Sequence, residues 1–383
     1  MSLRRADGFR RYALSVQYHG ASFLGFSYQG SNGEDCILPD GTDLRGFRSV
    51  EGRIREALTD FLGCDGEPLL FENIQVSPRT DRGVHAVKNT FHVDIRHDES
   101  YTRSSTKEFA DKLQRGLGYF LTRQRNSWDY DRGQIIGKRR RKQVPQHSFL
   151  GEDWMRLSPA HDVKILSVLP APDLMRNHFA DHDPSQPAFV DWNARFSATE
   201  RTYIYRILNS YGDHSDYGAP FEWDRSWRIQ SQKPLNVEDM QQAASLLQGT
   251  HDYSSFRGRN CQRDSPVVTI HSIDIESQPY GETLLWGGGG GMLGLGCKNR
   301  NNANTTKHGR PAVALVSIKL VGNSFLYRQV RNMVGCLVEV GLGKLKPQEV
   351  HDILQARDRS AAPRMSPAHG LFLVDVQHGD FTL

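Results

Sequence analysis

The first patterned stretch, Arg11 to Tyr18, mixes apolar and polar positions in a way that predicts a strand. A loop follows at Gly20-Ala21-Ser22-Phe23-Leu24-Gly25-Phe26, then a polar insertion with Gly33 and Gly41. The period then changes. Val50, Ile54, Ala57, Leu58 and Phe61 recur at helical spacing, with Ser49 placed as an N-cap and Gly63 as a stop. The short apolar stretch Ile74-Gln75-Val76 predicts a strand before Arg79, and Thr90 to Ile95 predicts another. Phe109, Leu113, Leu117 and Leu121 stay in register for a helix over 107–121, and Asp162 to Leu169 closes this half as a strand.

The second half has the same rhythm. Arg201 to Leu208 predicts a strand, and Asn236 caps a helix through Leu247 that Gly249 ends. Val267 to Ile275 and Ala312 to Val321 predict strands. Ser324 starts a long helix through Val340, with Leu326, Val330, Met333, Leu337 and Gly341 on one face and Arg331 off that stripe. A short helix after Pro347 and a strand from Leu371 to Val376 complete the order. No repeat is visible in the letters. The repeated order still predicts two similar α+β domains, with helices on one face of each sheet. Two segments read as surface insertions: 133–146, with Lys138-Arg139-Arg140-Arg141-Lys142, and the Gly/Asn-rich 281–311. The halves are expected over 9–170 and 171–383, each carrying one insertion.

Bulk properties change this picture little. The 383 residues allow one large or two ordinary domains. Hydrophobic residues make up 38%, enough for a core, and no apolar run approaches the length that spans a bilayer. The net charge of +4 permits a nucleic-acid partner without requiring one. The five cysteines are scattered without zinc or redox spacing, which suits reduced thiols of an intracellular protein. The basic start with Arg4 and Arg5 lacks the apolar stretch of a secretory signal.

Several common chemistries find no support. Gly289 to Gly294 matches the dinucleotide fingerprint in letters, but a polar tract follows where the helix is required. The histidines, 15 in all, show no helical His-x-x-x-His with a glutamate; His85 and His92 read as structural, and His178 and His182 as loop residues. No Gly-x-Ser-x-Gly elbow is present. The run at Lys138 to Lys142 reads as phosphate grip, nuclear-import signal or solvated loop.

The most informative segment is Arg79-Thr80-Asp81-Arg82-Gly83-Val84-His85-Ala86. An acid held between cations stays ionised, and an ionised carboxylate in place is a nucleophile or a base. Read alone, the segment favours a structural turn in which Asp81 pairs with a neighbouring arginine. Three distant segments bear on it. Tyr203 and Tyr205 stand two apart on a strand, so they share a strand face, either as core tyrosines or as an aromatic for stacking with a hydroxyl for proton transfer. Gly249 to Arg257 is the second. The third, Asn323 to Met333, places Arg331 where it could reach inward to a carboxylate.

In this order, these segments resemble the TruA family of tRNA pseudouridine synthases. The resemblance runs from Tyr18–Phe26 through Ser49-Val50-Glu51, Arg79–Ala86, Phe196–Tyr205, Gly249–Phe256 and Phe325–Asn332 to Ala368–Leu373, and is nearest to the eukaryotic TruA-like branch. It implies two ferredoxin-like halves whose antiparallel sheets join around a central basic RNA-binding cleft. It implies isomerisation of uridine to pseudouridine in or near the tRNA anticodon stem-loop, with no metal or organic cofactor. By the resemblance, Asp81 is the catalytic aspartate, attacking C1′ or acting as base at C2′. Tyr203 stacks on the base and is the candidate for removing the C5 proton, and Arg331 pairs with the aspartate. Arg79, Thr80, Arg82, His85, Phe256 and Arg328 then form the substrate-binding surroundings.

The chain departs from the family pattern at Arg82, where a small residue is usual, at Pro78, where glycine is common, and at Phe26, where tryptophan is common. These departures bear on which site is modified. The rival readings are other tRNA or mRNA sites and a catalytically silent RNA-binding protein on the same fold. A homodimer is the expected state, with a monomer as the alternative. Cytoplasm, nucleus and mitochondrion all remain open as the compartment.

Overall fold

The computed structural model describes residues 8–27, 49–62, 70–96, 105–122, 162–176, 189–212, 222–280 and 312–383. The insertions 133–146 and 281–311, the glycines at 33, 41 and 63, Cys36, Cys64, Cys297, His178, His182, Arg4 and Arg5 lie outside the described residues. The backbone divides into two units, Met1–Ala198 with His378–Leu383, and Thr199–Gln377. Both are mixed α+β with mostly antiparallel strands.

In the first unit, strand β1 (Phe9–Tyr18) is flanked by β3 (His85–Arg96) and β4 (Val163–Pro170), both antiparallel, and β2 (Phe71–Val76) adds to β3. Helix α1 (Val50–Leu62) starts where Ser49 caps it, the Oγ accepting from the N–H of Gly52 at 3.0 Å. Helix α2 (Thr106–Thr122) lies against β1 and β4: Phe109 meets the Tyr12 ring at 5.4 Å, and Gln114 Nε2 donates to Leu166 O at 2.8 Å. Where α1 and α2 touch, a Cβ on Gly116 would fall 2.1 Å from the Phe61 ring. A two-strand pair, β5 (Met175–Arg176) and β6 (Phe189–Val190), completes this unit.

The other face of β1 carries a buried ion pair. Arg11 and Asp94 are direct cross-strand neighbours, joined by two hydrogen bonds of 2.6 and 2.7 Å. Arg11 also donates to Trp192 O, and Asn73 donates to Asp94 Oδ2. Removing one partner of such a pair strands a buried charge, at a cost of about 3–5 kcal/mol. β3 begins five residues before the predicted Thr90, because Asn89 is buried and hydrogen-bonded to Tyr18 Oη and Pro78 O. Pattern reading passes over such a buried polar position.

In the second unit, β7 (Glu200–Tyr211) is central. One edge pairs with β11 (Ala312–Gly322), which leads to β10 (Val267–Pro279) and β9 (Gly249–Asp252), all antiparallel. The other edge is shared end to end by antiparallel β12 (Leu371–Gln377) and parallel β8 (Trp227–Ser231). β8 and β9 are too short to show in the periodicity. Helix α3 (Val237–Leu246) is capped by Asn236 as expected, and its Gln241 holds the edge of β10 through Ile273 O. Helix α4 (Gln329–Gly341) packs so closely on α3 that a Cβ at Gly341 would meet Met240 Sδ at 2.5 Å. Helix α5 (Pro347–Ala356) follows.

Helix α4 starts at Gln329, not at Ser324. The Tyr327 carbonyl accepts from Gly258 N at 2.7 Å, and Arg328 takes a left-handed φ of 61°, so no helical turn can run through them. The helix is buried on nearly every side, Arg331 and Asn332 included. The narrow apolar stripe read from the sequence understates that burial.

His92 on β3 is fully buried, and its Nδ1 accepts from the N–H of Ala194. Burial first, then the charge of Arg11, hold its pKa well below 6.5. In the unfolded chain it takes up a proton near pH 6.5. Below that pH the unfolded state binds a proton that the folded state refuses, so stability falls with falling pH, by at most about 1.4 kcal/mol per pH unit. Urea unfolding between pH 7.5 and 5 is expected to show a shallower acid-side loss for His92→Gln than for the parent chain.

Candidate active site

The segment Arg79–His85 links β2 to β3, and a second loop, Gly20–Phe26, clamps it backbone to backbone. Phe26 N donates to Thr80 O at 3.2 Å, and Gly83 N donates to Phe23 O at 3.3 Å. Val84 N closes a turn onto Asp81 O at 3.1 Å, with Gly83 at φ 81°. The approach requires glycine. A Cβ on Gly20 would fall 1.9 Å from Val84 O, and one on Gly25, at φ 119°, would fall 2.7 Å from Thr80 O. Gly20 N also donates to His85 Nδ1 at 3.0 Å.

Side chains lock the same loop from below. Burial pushes the Tyr18 phenol pKa up, so the group stays protonated; it shares a 2.8 Å hydrogen bond with Thr80 Oγ1 and accepts from Asn89. Thr80 and His85 are therefore buried, holding the turn, while Arg79 and Arg82 are exposed on either side of the half-buried Asp81. Desolvation, then the like charge of Arg195, lower the Arg79 pKa, and Glu51 at the start of α1 opposes them. The loop thus presents one carboxylate on a fixed backbone in cationic surroundings. Tyr18, Gly20, Gly25 and Arg195 were not singled out as site residues; the two glycines lie in a loop already visible as a motif.

The remaining predicted residues belong to the second unit. Tyr203 lies on β7 opposite Leu320 and Leu373, buried, with its ring edge-on to Phe325 at 5.2 Å. Tyr205, on the same strand face, donates to Pro367 O at 2.7 Å; burial pushes its pKa up, against the effects of Ser366 and Arg331. Arg331 on α4 donates from Nε to Ser366 O at 2.9 Å, and Ser366 returns its N–H and Oγ–H to Arg331 O. Gly335, one turn on, lets this 364–366 segment lie against the helix, since a Cβ there would be 2.2 Å from Arg364 O. Phe256 is fully buried, and its carbonyl accepts from Asn332. Arg328 is exposed, its guanidinium 4.7 Å from the Tyr327 ring centre. Pro367 acts through its backbone carbonyl, and Ser366 through its carbonyl, N–H and hydroxyl, contacts that no local sequence pattern announces.

Among the described residues no three His, Cys, Asp or Glu side chains form a metal-holding group. No described helix is long and apolar enough to cross a membrane.

Comparison with known proteins points to one class, the RNA-modifying isomerases that make pseudouridine. A family profile described as tRNA pseudouridine synthase matches residues 243–378. The tRNA pseudouridine synthase A of Caulobacter vibrioides is 29% identical over 370 residues, spanning 97% of this chain and 99% of the relative. That of Ehrlichia chaffeensis is 26% identical over 368 residues, spanning 96% of this chain and all of the relative. Over nearly its whole length the chain is thus similar to bacterial tRNA pseudouridine synthases A.

The clamp gives a direct expectation. Gly20→Ala forces the Gly20–Phe26 loop off Val84, a backbone overpacking that costs about 1–3 kcal/mol. Urea denaturation is expected to show that loss, whereas Gly8→Ala, whose Cβ would meet nothing within 4 Å, is expected to leave packing unstrained apart from its positive φ.

Proposed function

We propose that this protein isomerises uridine to pseudouridine in tRNA, in or near the anticodon stem-loop. Asp81 is the nucleophile or base, Tyr203 stacks on the uracil, and Arg331 keeps the carboxylate ionised. The observation that carries this reading is the clamped Arg79–His85 turn, which fixes a carboxylate on a backbone it cannot leave. Catalysis by position needs such a group, because a small misplacement of a reacting atom costs orders of magnitude in rate.

The chemistry follows from the charges. Attack of the carboxylate on C1′ breaks the C1′–N1 bond, as does loss of the C2′ proton to it. The detached uracil turns and C5 bonds to C1′, displacing the carboxylate on the first route or with the proton returned to C2′ on the second; the C5 proton then leaves and N1 gains one, so the net change is an isomerisation. Either route needs an anionic aspartate, and a guanidinium, which does not deprotonate, favours that form. A uridine within a stem must be flipped out, and the exposed base then gains from an aromatic face. Arg79 and Arg82, exposed beside Asp81, suit the phosphates of the flipped nucleotide.

The wider reading keeps the parts that rest on resemblance: ferredoxin-like halves around a basic cleft, an intracellular site of action, a homodimer and a eukaryotic-type branch. The two inserted tracts support that branch, although the relatives named above are bacterial.

Asp81→Asn is expected to bind a uridine-containing tRNA transcript as tightly as the parent chain while forming no pseudouridine. Full activity in that variant would sink the assignment. Tyr203→Phe keeps the stacking face and loses the hydroxyl; a rate lower by about 10²–10⁴ would fit a proton-transfer role.

A further inference from the structure

Within the second unit, the residues after Phe256 form a short basic loop, Arg257-Gly258-Arg259-Asn260-Cys261-Gln262-Arg263-Asp264. The loop is not slack. Gly258 sits against the Tyr327 carbonyl, where a Cβ would be 2.8 Å away, and donates its N–H to that oxygen. Arg257 turns inward and donates to Cys261 O and Arg263 O, tying the loop's two ends together. Asn260 takes the left-handed φ of 62° that lets the chain reverse, and Arg263 Nη1 donates to Ser324 Oγ at 2.8 Å.

This rigid frame points its charge outward. Arg259, Asn260, Gln262 and Arg263 are exposed. Like charges lie near: after burial, Arg259 lowers the pKa of Arg359, and Arg263 that of Arg201. Among the described residues no carboxylate pairs with Arg259 or Arg263, while Asp252 nearby is already 3.7 Å from Arg357. Neighbouring like charges disfavour one another, and an anion supplied from outside relieves that. Beside them stands Tyr327, 38% exposed, with Arg328 stacked on its ring. Arg259 and Arg263 on a fixed loop, next to a partly exposed aromatic ring, match a polyanion that also carries stacking bases.

We propose that the Arg257–Asp264 loop, with Arg201 and Tyr327, is a docking surface for the phosphate backbone of the RNA substrate, with Arg259 and Arg263 holding the phosphates. This rests on the reading that the substrate is RNA, and adds a binding surface outside the residues that reading names. The loop positions the RNA and takes no part in bond breaking.

The test measures binding of a tRNA transcript to the full chain by fluorescence anisotropy across a salt series. Arg259→Gln combined with Arg263→Gln is expected to raise Kd on the order of tenfold and to reduce the slope of log K against log salt by about two, since each arginine neutralises one phosphate. In turnover assays the loss is expected in KM more than in kcat. The Arg259→Lys, Arg263→Lys pair keeps the charges and is expected to keep the slope. Lys112→Gln, removing an exposed charge from α2, is the control for net charge. An unchanged slope in the glutamine pair would overturn the proposal, as would an equal change in Lys112→Gln. Absence of pseudouridine from the parent reaction, with the slope change intact, would overturn the catalytic reading and leave the docking surface standing.

Discussion

The structure around the candidate site depends on a contact between two backbones that only glycine allows. Gly20 and Gly25 bring one loop within hydrogen-bonding reach of the peptide groups around Asp81, so main-chain bonds fix the position of that carboxylate. Side chains can change rotamer in a fraction of the time a backbone turn takes to open. A reactive acid placed by its backbone therefore returns to one location. Tyr18, Thr80 and Asn89 extend the restraint downward, joining the turn to the core of β1 and β3 through a phenol that burial keeps protonated.

The second unit solves a different problem, which is how to keep a guanidinium buried yet oriented. Helix α4 is covered on nearly all sides, so its polar residues must find partners inside. Arg331 does so by exchanging hydrogen bonds with Ser366, and Asn332 by bridging Phe256 and Arg359. Tyr205 is anchored on the adjacent Pro367 carbonyl, so the strand bearing Tyr203 and the helix bearing Arg331 are tied to one short segment, 364–367. Change in that segment would be felt by both residues, although neither touches it through a motif readable in the sequence.

Charge is organised in the same graded way. The ion pair of Arg11 and Asp94 is buried, bidentate and capped by further hydrogen bonds, which suits a structural role. Arg259 and Arg263 of the 257–264 loop are exposed on a constrained backbone, which suits a partner that arrives from solution. Arg79, Arg82 and Arg195 are exposed as well, with Arg79 and Arg82 on either side of Asp81 and Arg195 lowering the Arg79 pKa. Burial and pairing, not residue type, separate structural cations from recognition cations here.

Much of this was legible beforehand. The helical spacing at Val50–Leu62 and Thr106–Thr122, the cap at Asn236, the long strands and the Arg-Thr-Asp segment all rest on local rules, because period and capping act within a few residues. Other features needed the folded chain. Strand β3 runs to His85 because Asn89 finds partners on two other segments, α4 starts late because Tyr327 O is claimed by Gly258, and Ser366 matters through an exchange of hydrogen bonds with Arg331, 35 residues away. By itself the sequence determined which residue types are available for the chemistry and the rhythm of the elements that bear them. Only the tertiary structure decided which backbone groups meet and how deeply each side chain is buried, because those meetings join residues far apart along the chain and depend on how closely two backbones can approach.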